Sequence, residues 1–259
     1  MKDNPLVSVV IPCFNCSDTI ERTVLSVFNQ TYKNIEIILV SGKDNNPKTR
    51  PAMEKAASCF PIDRKRLIFL DTNLGPGNNR DVGIAAAKGN YIALLDADDS
   101  FLPSKIETDL KYISTLNCDG VCSFLKNQSE FNSKKYSQPQ KLTLSMELKK
   151  NRVHVSTLLV KNEKWFHFDQ RITLYAEDIF LWLELLADGH SIFRYPEITV
   201  DNGVSPNQIT SRHQKDMYQA RLKMYHYLRD DKRISWFQLK KQLFIEYLKH
   251  IRRKIKRSE

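Results

Sequence analysis

Two rhythms of apolar and polar positions alternate along the first hundred residues. Leu6 to Ile11 reads as a buried strand, Asp18 to Asn29 as an amphipathic helix, Ile35 to Val40 as a strand and Lys48 to Cys59 as a helix. A strand at Arg66 to Leu70, a helix near Asn78 to Lys88 and a strand ending in Asp96 follow. Strands separated by helices of this length predict right-handed crossovers, hence an α/β fold with a Rossmann-like, mainly parallel sheet flanked by helices. Ligands of such sheets bind at the carboxyl ends of the strands. Three segments fall there: Pro12 to Asn15, Ser41 to Asp44, and Asp96 to Asp99.

The last of these carries the most chemistry. The apolar run Tyr91-Ile92-Ala93-Leu94-Leu95 ends in Asp96-Ala97-Asp98-Asp99, three carboxylates within four positions. Charges of one sign this close repel unless a cation sits among them, and strand alternation aims Asp96 and Asp98 the same way. Paired carboxylates suit a hard divalent ion that also touches phosphate oxygens. The plainer reading is a strand followed by an Asp-rich helix start, with Asp99 or Ser100 capping a helix that Pro103 opens.

In the second half, Leu174-Tyr175-Ala176-Glu177-Asp178 opens a helix whose positions 179, 180, 182, 183 and 186 are apolar. Acids at a helix start complement its dipole, which alone accounts for Glu177 and Asp178. Trp165 and Trp182 are candidates for stacking on a ligand ring, although Trp182 lies on the apolar face and reads as core. His154 and His213 are weaker candidates for contact with a metal or diphosphate. The polar segments 127–140 and 202–213 are expected to frame a site as loops.

Composition places the chain among soluble proteins, with 259 residues, 41% of them hydrophobic and 27% charged. It has no run of eighteen apolar residues, and Met1-Lys2-Asp3-Asn4-Pro5 leads into the first strand without a signal-peptide pattern, so a cytoplasmic location is expected. Five cysteines suit a reducing compartment. Cys13-x-x-Cys16 and Cys118-x-x-x-Cys122 together imitate zinc-ligand spacing, but the first pair flanks a candidate ligand loop and the second lies in a strand-like stretch.

The net charge of +10 is concentrated at one end. Residues 1–211 carry 25 basic and 25 acidic side chains, whereas residues 212–259 carry 15 basic and 5 acidic. In that tail Trp236, Leu239, Leu243, Phe244, Tyr247, Leu248, Ile251 and Ile255 recur at helical spacing, with Lys241, Lys249, Arg252, Arg253, Lys256 and Arg257 mostly on the other side. A basic amphipathic helix rich in aromatic residues suits an anionic membrane surface, and the same stripe suits packing on the rest of the protein. The expected organisation is a catalytic domain at 1–211, split near residue 100, and a helical extension at 212–259.

Several segments, in order, resemble the family 2 glycosyltransferases with the GT-A fold, from Val7 to about Ser211. Ser8-Val9-Val10-Ile11-Pro12-Cys13-Phe14-Asn15 is similar to the family's opening strand, and Val24 to Tyr32 to its first helix and exit. Asn73-Leu74-Gly75-Pro76-Gly77-Asn78-Asn79-Arg80-Asp81-Val82-Gly83 is similar to its Asn-x-Gly segment with an Ala-Arg-Asn-x-Gly ending. Lys88-Gly89-Asn90-Tyr91-Ile92 leads to Asp96-Ala97-Asp98-Asp99, and Phe168-Asp169 with Glu177-Asp178 resembles its later acidic motif.

The resemblance implies a nucleotide-sugar donor, UDP-linked in the first expectation. Pro12, Phe14 and Asn15 would line the base pocket, with Phe14 reading equally as a core aromatic. Arg80 would face the diphosphate, since a guanidinium meets phosphate oxygens in pairs. Asp96, Ala97 and Asp98 would hold the nucleotide, with Asp96 and Asp98 on Mn²⁺ or Mg²⁺. Asp178 would be the catalytic base of an inverting displacement, and Glu177 and Trp165 would contact the acceptor. One departure stands out. The family's Asp-Asp-Gly-Ser or Asp-Gly-Gly-Ser after the second strand is Ser41-Gly42-Lys43-Asp44 here, which leaves nucleotide identity open: Asp44 or Ser41 would take over the displaced carboxylate's task, or the segment is an ordinary polar turn.

The acceptor implied by family habit is a saccharide, lipid-linked, in surface-polysaccharide assembly at the inner face of the cell membrane. Two rival readings use the same residues: a nucleotidyltransferase with paired acids and metal, and a nucleic-acid-binding module using the basic tail. No nucleic-acid motif and no glycine-rich phosphate loop accompanies them, so a nucleic-acid partner is not expected.

Overall fold

The computed structural model describes residues 4–128, 137–172, 174–203 and 213–258. The first half follows the two rhythms. Strands β1 (Val7–Cys13), β2 (Ile35–Ser41), β3 (Lys65–Phe69) and β4 (Tyr91–Leu94) lie parallel in the order β3-β2-β1-β4. Helices α1 (Ile20–Phe28), α2 (Thr49–Ala56) and α3 (Pro76–Ala86) connect them. Alternation sends Val7, Val9, Ile11, Ile37 and Leu39 into the core under α1, and Val10, Ile38 and Val40 into the core on the other face. Helix α3 rests directly on that second face. A Cβ on Gly83 would come within 2.3 Å of Val10 Cγ1, so only a glycine permits this approach.

The second half adds β5 (Ser100–Phe101), α4 (Lys105–Leu116), β6 (Gly120–Leu125), β7 (Gln140–Lys141), α5 (Leu144–Lys149), β8 (Leu159–Lys161), α6 (Glu177–Ala187) and β9 (Ile192–Asp201). The sheet continues β4-β8-β6-β9-β5, with β7 also beside β9. Strand β8 runs antiparallel to both β4 and β6, and β5 and β7 run antiparallel to β9. The sheet is therefore mixed: its first half is wholly parallel, and in its second half β6 and β9 pair in parallel among antiparallel neighbours. The turn at 95–99 leads straight from β4 into β5, and α5 followed by a turn at Val155–Thr157 leads into β8. The expected cap is also displaced. Ser100 lies in β5 opposite Asp201, and the helix after Pro103 starts at Lys105, with Ser104 before it.

Helices α7 (Gln214–Asp230) and α8 (Trp236–Ser258) complete the described chain. They form a third core with α5 and α6, built from Leu148, Phe180, Leu183, Met224, Leu228 and Leu239. Two arginines clamp the elbow between α7 and α8. Arg171 donates to Asp231 Oδ2 at 2.6 Å, and Arg233 donates to Asp188 Oδ2 at 2.8 Å and also pairs with Glu184 of α6. The extension expected at 212–259 is thus fastened to the helix that begins with Glu177 and Asp178. Among the described residues no helix is long and apolar enough to cross a membrane. Of the two expected loops, 129–136 and 204–212 lie outside the described residues, as does the expected boundary at 211.

Candidate active site

The carboxyl ends of β1, β2 and β4 bring the expected segments to one edge of the sheet. Pro12 pairs with Val40 near the end of β1, and beyond it the Phe14 ring is 50% exposed, outside the core, in front of the sheet edge. Asn15 adopts a left-handed backbone, φ 48°, which asparagine tolerates better than most residues. Its N–H donates to Asp44 Oδ2 at 2.7 Å, and Asn46 N–H donates to the other oxygen at 2.7 Å. Partial burial opposes the Asp44 charge, but these two N–H groups outweigh it and hold the carboxyl below the usual range. Asp44 thereby ties the loop after β2 to the loop after β1. Ser41 is buried, and its hydroxyl donates to Gly42 O at 3.0 Å. Of the two residues expected to replace the family's carboxylate, only Asp44 reaches the β1 loop.

The turn after β4 is held from several sides. Asp99 N–H donates to Asp96 O at 3.1 Å, closing the turn. From α1, the Thr23 hydroxyl lies 2.9 Å from Ala97 O and 2.8 Å from Asp99 O, and Arg22 donates to Asp98 O. Ser156 Oγ accepts from Asp96 N–H at 3.1 Å and donates to Asp99 Oδ2 at 2.6 Å. Gly203 closes the other side. A Cβ there would sit 2.1 Å from Asp98 O, and its N–H donates to Asp99 Oδ1 at 3.2 Å.

These contacts give the three carboxylates separate tasks. Asp99 is spent on Ser156 and Gly203, and burial with the Asp96 and Asp98 charges pushes it up to about 7. Asp98 is raised by burial and by Asp96, and no side chain among the described residues donates a hydrogen bond to its carboxylate. Asp96 gives one oxygen to Arg80 at 2.8 Å and stays 38% exposed. Asp96 and Asp98 thus retain open oxygen edges that repel each other, which suits a hard divalent cation. No group of three or more His, Cys, Asp or Glu side chains among the described residues surrounds one point. An ion there would take one or two carboxylates from this chain and its remaining ligands from phosphate and water.

Arg80, expected to face a diphosphate, lies between two carboxylates. Its guanidinium is buried, donating Nη2 to Asp96 Oδ1 at 2.8 Å and Nη1 to Glu177 Oε1 at 3.1 Å, with the Phe168 ring 5.5 Å away. Burial opposes its charge, but the two carboxylates outweigh it and raise its pKa. Arg80 joins the two acidic motifs.

Glu177 is likewise spent. It is buried against Arg80, and burial with the Asp178 charge raises its pKa while Arg80 opposes. Glu177, expected to contact an acceptor, pairs with Arg80 at 3.1 Å. Asp178 is half-buried and accepts Ile179 N–H at 2.7 Å, leaving carboxylate capacity toward the site. Burial raises its pKa, Arg80 opposes, Asp96 adds to the rise and His154 counters it. The residue before this pair but one is strained: Tyr175 has φ 70°, unusual for an aromatic residue.

Trp165 is not brought to this edge. Its ring stacks on His190 at 4.0 Å, beside Asp119 and near Lys161, the partner of the first residue of β4. That is the opposite edge of the sheet from Asp96, so the expected acceptor contact is corrected to a structural stack. Arg22, Thr23, Ser156 and Gly203 were not singled out from the sequence. Only Thr23 left a signal, a polar residue on the buried stripe Ile20, Val24 and Val27 of α1.

Comparison with known proteins identifies the family and the fold. The sequence model described as Glycosyl transferase family 2 matches residues 8–180. The chain is 26% identical over 250 residues to the putative teichuronic acid biosynthesis glycosyltransferase TuaG of Bacillus subtilis, covering 95% of this chain and 96% of that protein. It is 32% identical over 192 residues to the UDP-Glc:alpha-D-GlcNAc-diphosphoundecaprenol beta-1,3-glucosyltransferase WfaP of Escherichia coli, covering 71% of each. Among solved structures, S. aureus TarS 1-349 in complex with UDP-GlcNAc superposes with a TM-score of 0.69 at 17% identity, over 85% of this chain. The chain spans just under two thirds, 65%, of that solved chain, and at this identity the likeness speaks for the GT-A fold.

Proposed function

Because the chain belongs to glycosyl transferase family 2, we propose that it transfers a hexosyl or N-acetylhexosaminyl group from a nucleotide sugar to a hydroxyl of a saccharide acceptor. The observation that carries the reading is the Arg80 bridge, which sets Asp178 beside the Asp96–Asp98 turn. A proton acceptor and a donor-phosphate site are then adjacent, as a direct displacement at the anomeric carbon requires. Asp178 takes the proton from the attacking hydroxyl as the new bond forms and the nucleoside diphosphate departs, with inversion. A positioned carboxylate of raised pKa suits this task, and such general-base help contributes on the order of a hundredfold or more. Phe14, Pro12 and Asn15 border the base, and Asp44 fixes the shape of that border through Asn15.

Asp98 and Asp96 would hold Mn²⁺ or Mg²⁺, which when bound supplies charge neutralisation at the diphosphate. The names of WfaP and of the TarS complex support a UDP-linked donor, and the name of WfaP supports a lipid-linked acceptor. With a basic C-terminal extension, these relatives support peripheral association with the inner face of the cell membrane and a place in surface-polysaccharide assembly.

Incubation with UDP-glucose, UDP-N-acetylglucosamine and GDP-mannose, with release of nucleoside diphosphate and pyrophosphate followed separately, tests the reading. Nucleoside diphosphate should appear with at least one donor and increase on adding a saccharide acceptor. Pyrophosphate from a nucleotide substrate would support the nucleotidyltransferase instead.

A further inference from the structure

Helix α8 is amphipathic in reverse. Its inward side carries Leu239 but also Gln242 and Glu246, both buried. Glu246 is paired there with Lys249 at 2.8 Å and with Arg221 of α7 at 3.5 Å, while His250 stacks on Tyr218 at 4.3 Å. The outward side carries Trp236, Phe237, Phe244, Tyr247 and Leu248, with Phe237 77% and Phe244 61% exposed. At 100° per residue these five fall within one third of the helix circumference, a continuous apolar face. Lys240 lies within it, 5.4 Å over the Trp236 ring, and exposed Lys241 and Arg252 border it.

We propose that this outward face docks on an anionic lipid bilayer, with Phe237, Phe244 and Leu248 entering the acyl boundary and Trp236 and Tyr247 at headgroup level. The inference rests on the membrane reading above and deepens it by naming the surface. Aromatic rings with bordering lysines and arginines match the chemistry of a headgroup layer, apolar inward and negative outward. A second copy of the chain fits less well, since the extension carries 15 basic against 5 acidic residues and two such faces would meet with like charge. Packing within the chain is already satisfied by the other side of the helix. The Arg171 and Arg233 clamps and the core shared with Phe180 tie the docked helix to α6, so the bilayer and Asp178 are held in one frame. A lipid-linked acceptor then meets the base at a set height above the membrane.

The test is cosedimentation of the full chain with vesicles of phosphatidylcholine, with and without phosphatidylglycerol, for the native protein, Phe244→Glu and Ile62→Glu. Ile62 is an exposed apolar residue outside α8, so its variant carries the same chemical change elsewhere. The native protein and Ile62→Glu should bind the anionic vesicles alike, and Phe244→Glu should bind on the order of tenfold or more weakly. All three should release nucleoside diphosphate equally with a soluble acceptor, which shows the fold intact. Equal binding by the two variants would overturn the face and leave membrane association standing. A native protein that ignores anionic vesicles at low salt would overturn both, and a dimer broken by Phe244→Glu in the absence of lipid would assign the face to a second copy. Failure of nucleoside diphosphate release in every protein, with vesicle binding as expected, would count against the glycosyltransferase reading alone.

Discussion

Arg80 and Glu177, ninety-seven positions apart, meet at 3.1 Å with both side chains buried, and the other arm of the same guanidinium holds Asp96 at 2.8 Å. A single cation therefore ties the turn after β4 to the helix start that carries Asp178. Removing one partner of a buried pair leaves an uncompensated charge, which costs several kcal/mol, whereas a matched apolar replacement of the whole group need not. Arg80→Met should lower stability in urea by roughly 2–4 kcal/mol, reduced from the full range because Asp96 is partly solvated. Arg80→Met with Glu177→Met should recover part of that loss without recovering transfer. A double variant as active as the native protein would show that the bridge has no part in positioning Asp178.

Gly203 tests how the Asp98 turn is held. A methyl group 2.1 Å from Asp98 O must displace backbone, so Gly203→Ala should cost roughly 1–3 kcal/mol of stability and weaken donor binding. Donor titration by calorimetry would read the second effect. Unchanged donor affinity would mean that the turn's position is indifferent to binding.

The first half of the fold was legible because its information is local. Val7, Val9 and Ile11 alternate with Ser8 and Val10, and the apolar run before Asp96 stops where the sheet edge begins. Asp96, Asp98 and Asp178 stood out as candidates for the same reason: their motifs are contiguous. Ser156 and Gly203 meet Asp99 from 57 and 104 positions away, and no periodicity records such contacts. Trp165 was misplaced because an aromatic residue near a motif says nothing of which sheet edge its loop returns to. The tail helix was legible as a helix, but a wheel diagram cannot tell which side packs. Glu246 is buried because Arg221 and Lys249 compensate it, a fact that exists only after α7 and α8 meet.

Glu147 gives a pH dependence separate from the site. Burial pushes its carboxyl up to about 7, although the Arg152 N–H at 2.8 Å pulls the other way. An unfolded glutamate titrates near about 4.3. The folded state therefore binds more protons between these values, so this contribution is fully present below the unfolded pKa and is lost as pH rises through about 7. Glu147→Gln should gain roughly 1–3 kcal/mol relative to the native protein at high pH compared with low pH. Parallel denaturant melts of both proteins across that range would show the difference, and parallel stability curves would remove Glu147 as its source.

Asp98→Asn should abolish the Mn²⁺-dependent part of donor binding with the fold intact, because Asp98 has an open carboxylate and few partners of its own. Asp96→Asn should weaken binding and also loosen Arg80. Calorimetry of the donor with and without chelator separates the two. Full, chelator-sensitive affinity in Asp98→Asn would move the ion elsewhere.

The proposed reaction rests on Asp178 as the proton acceptor, with Glu177 in a positioning role. It is tested most directly by single-turnover transfer across pH, beside donor affinity, in Asp178→Asn and Glu177→Gln. Burial raises the Asp178 pKa, so native transfer should fall as pH drops, starting above the ordinary carboxylate range, because the base is then protonated. Asp178→Asn should keep donor affinity, lose on the order of a hundredfold or more in transfer, and lose that pH dependence. Glu177→Gln should retain the pH dependence at reduced rate. An Asp178→Asn protein that transfers normally, or a Glu177→Gln protein that alone loses the pH profile, would contradict the account.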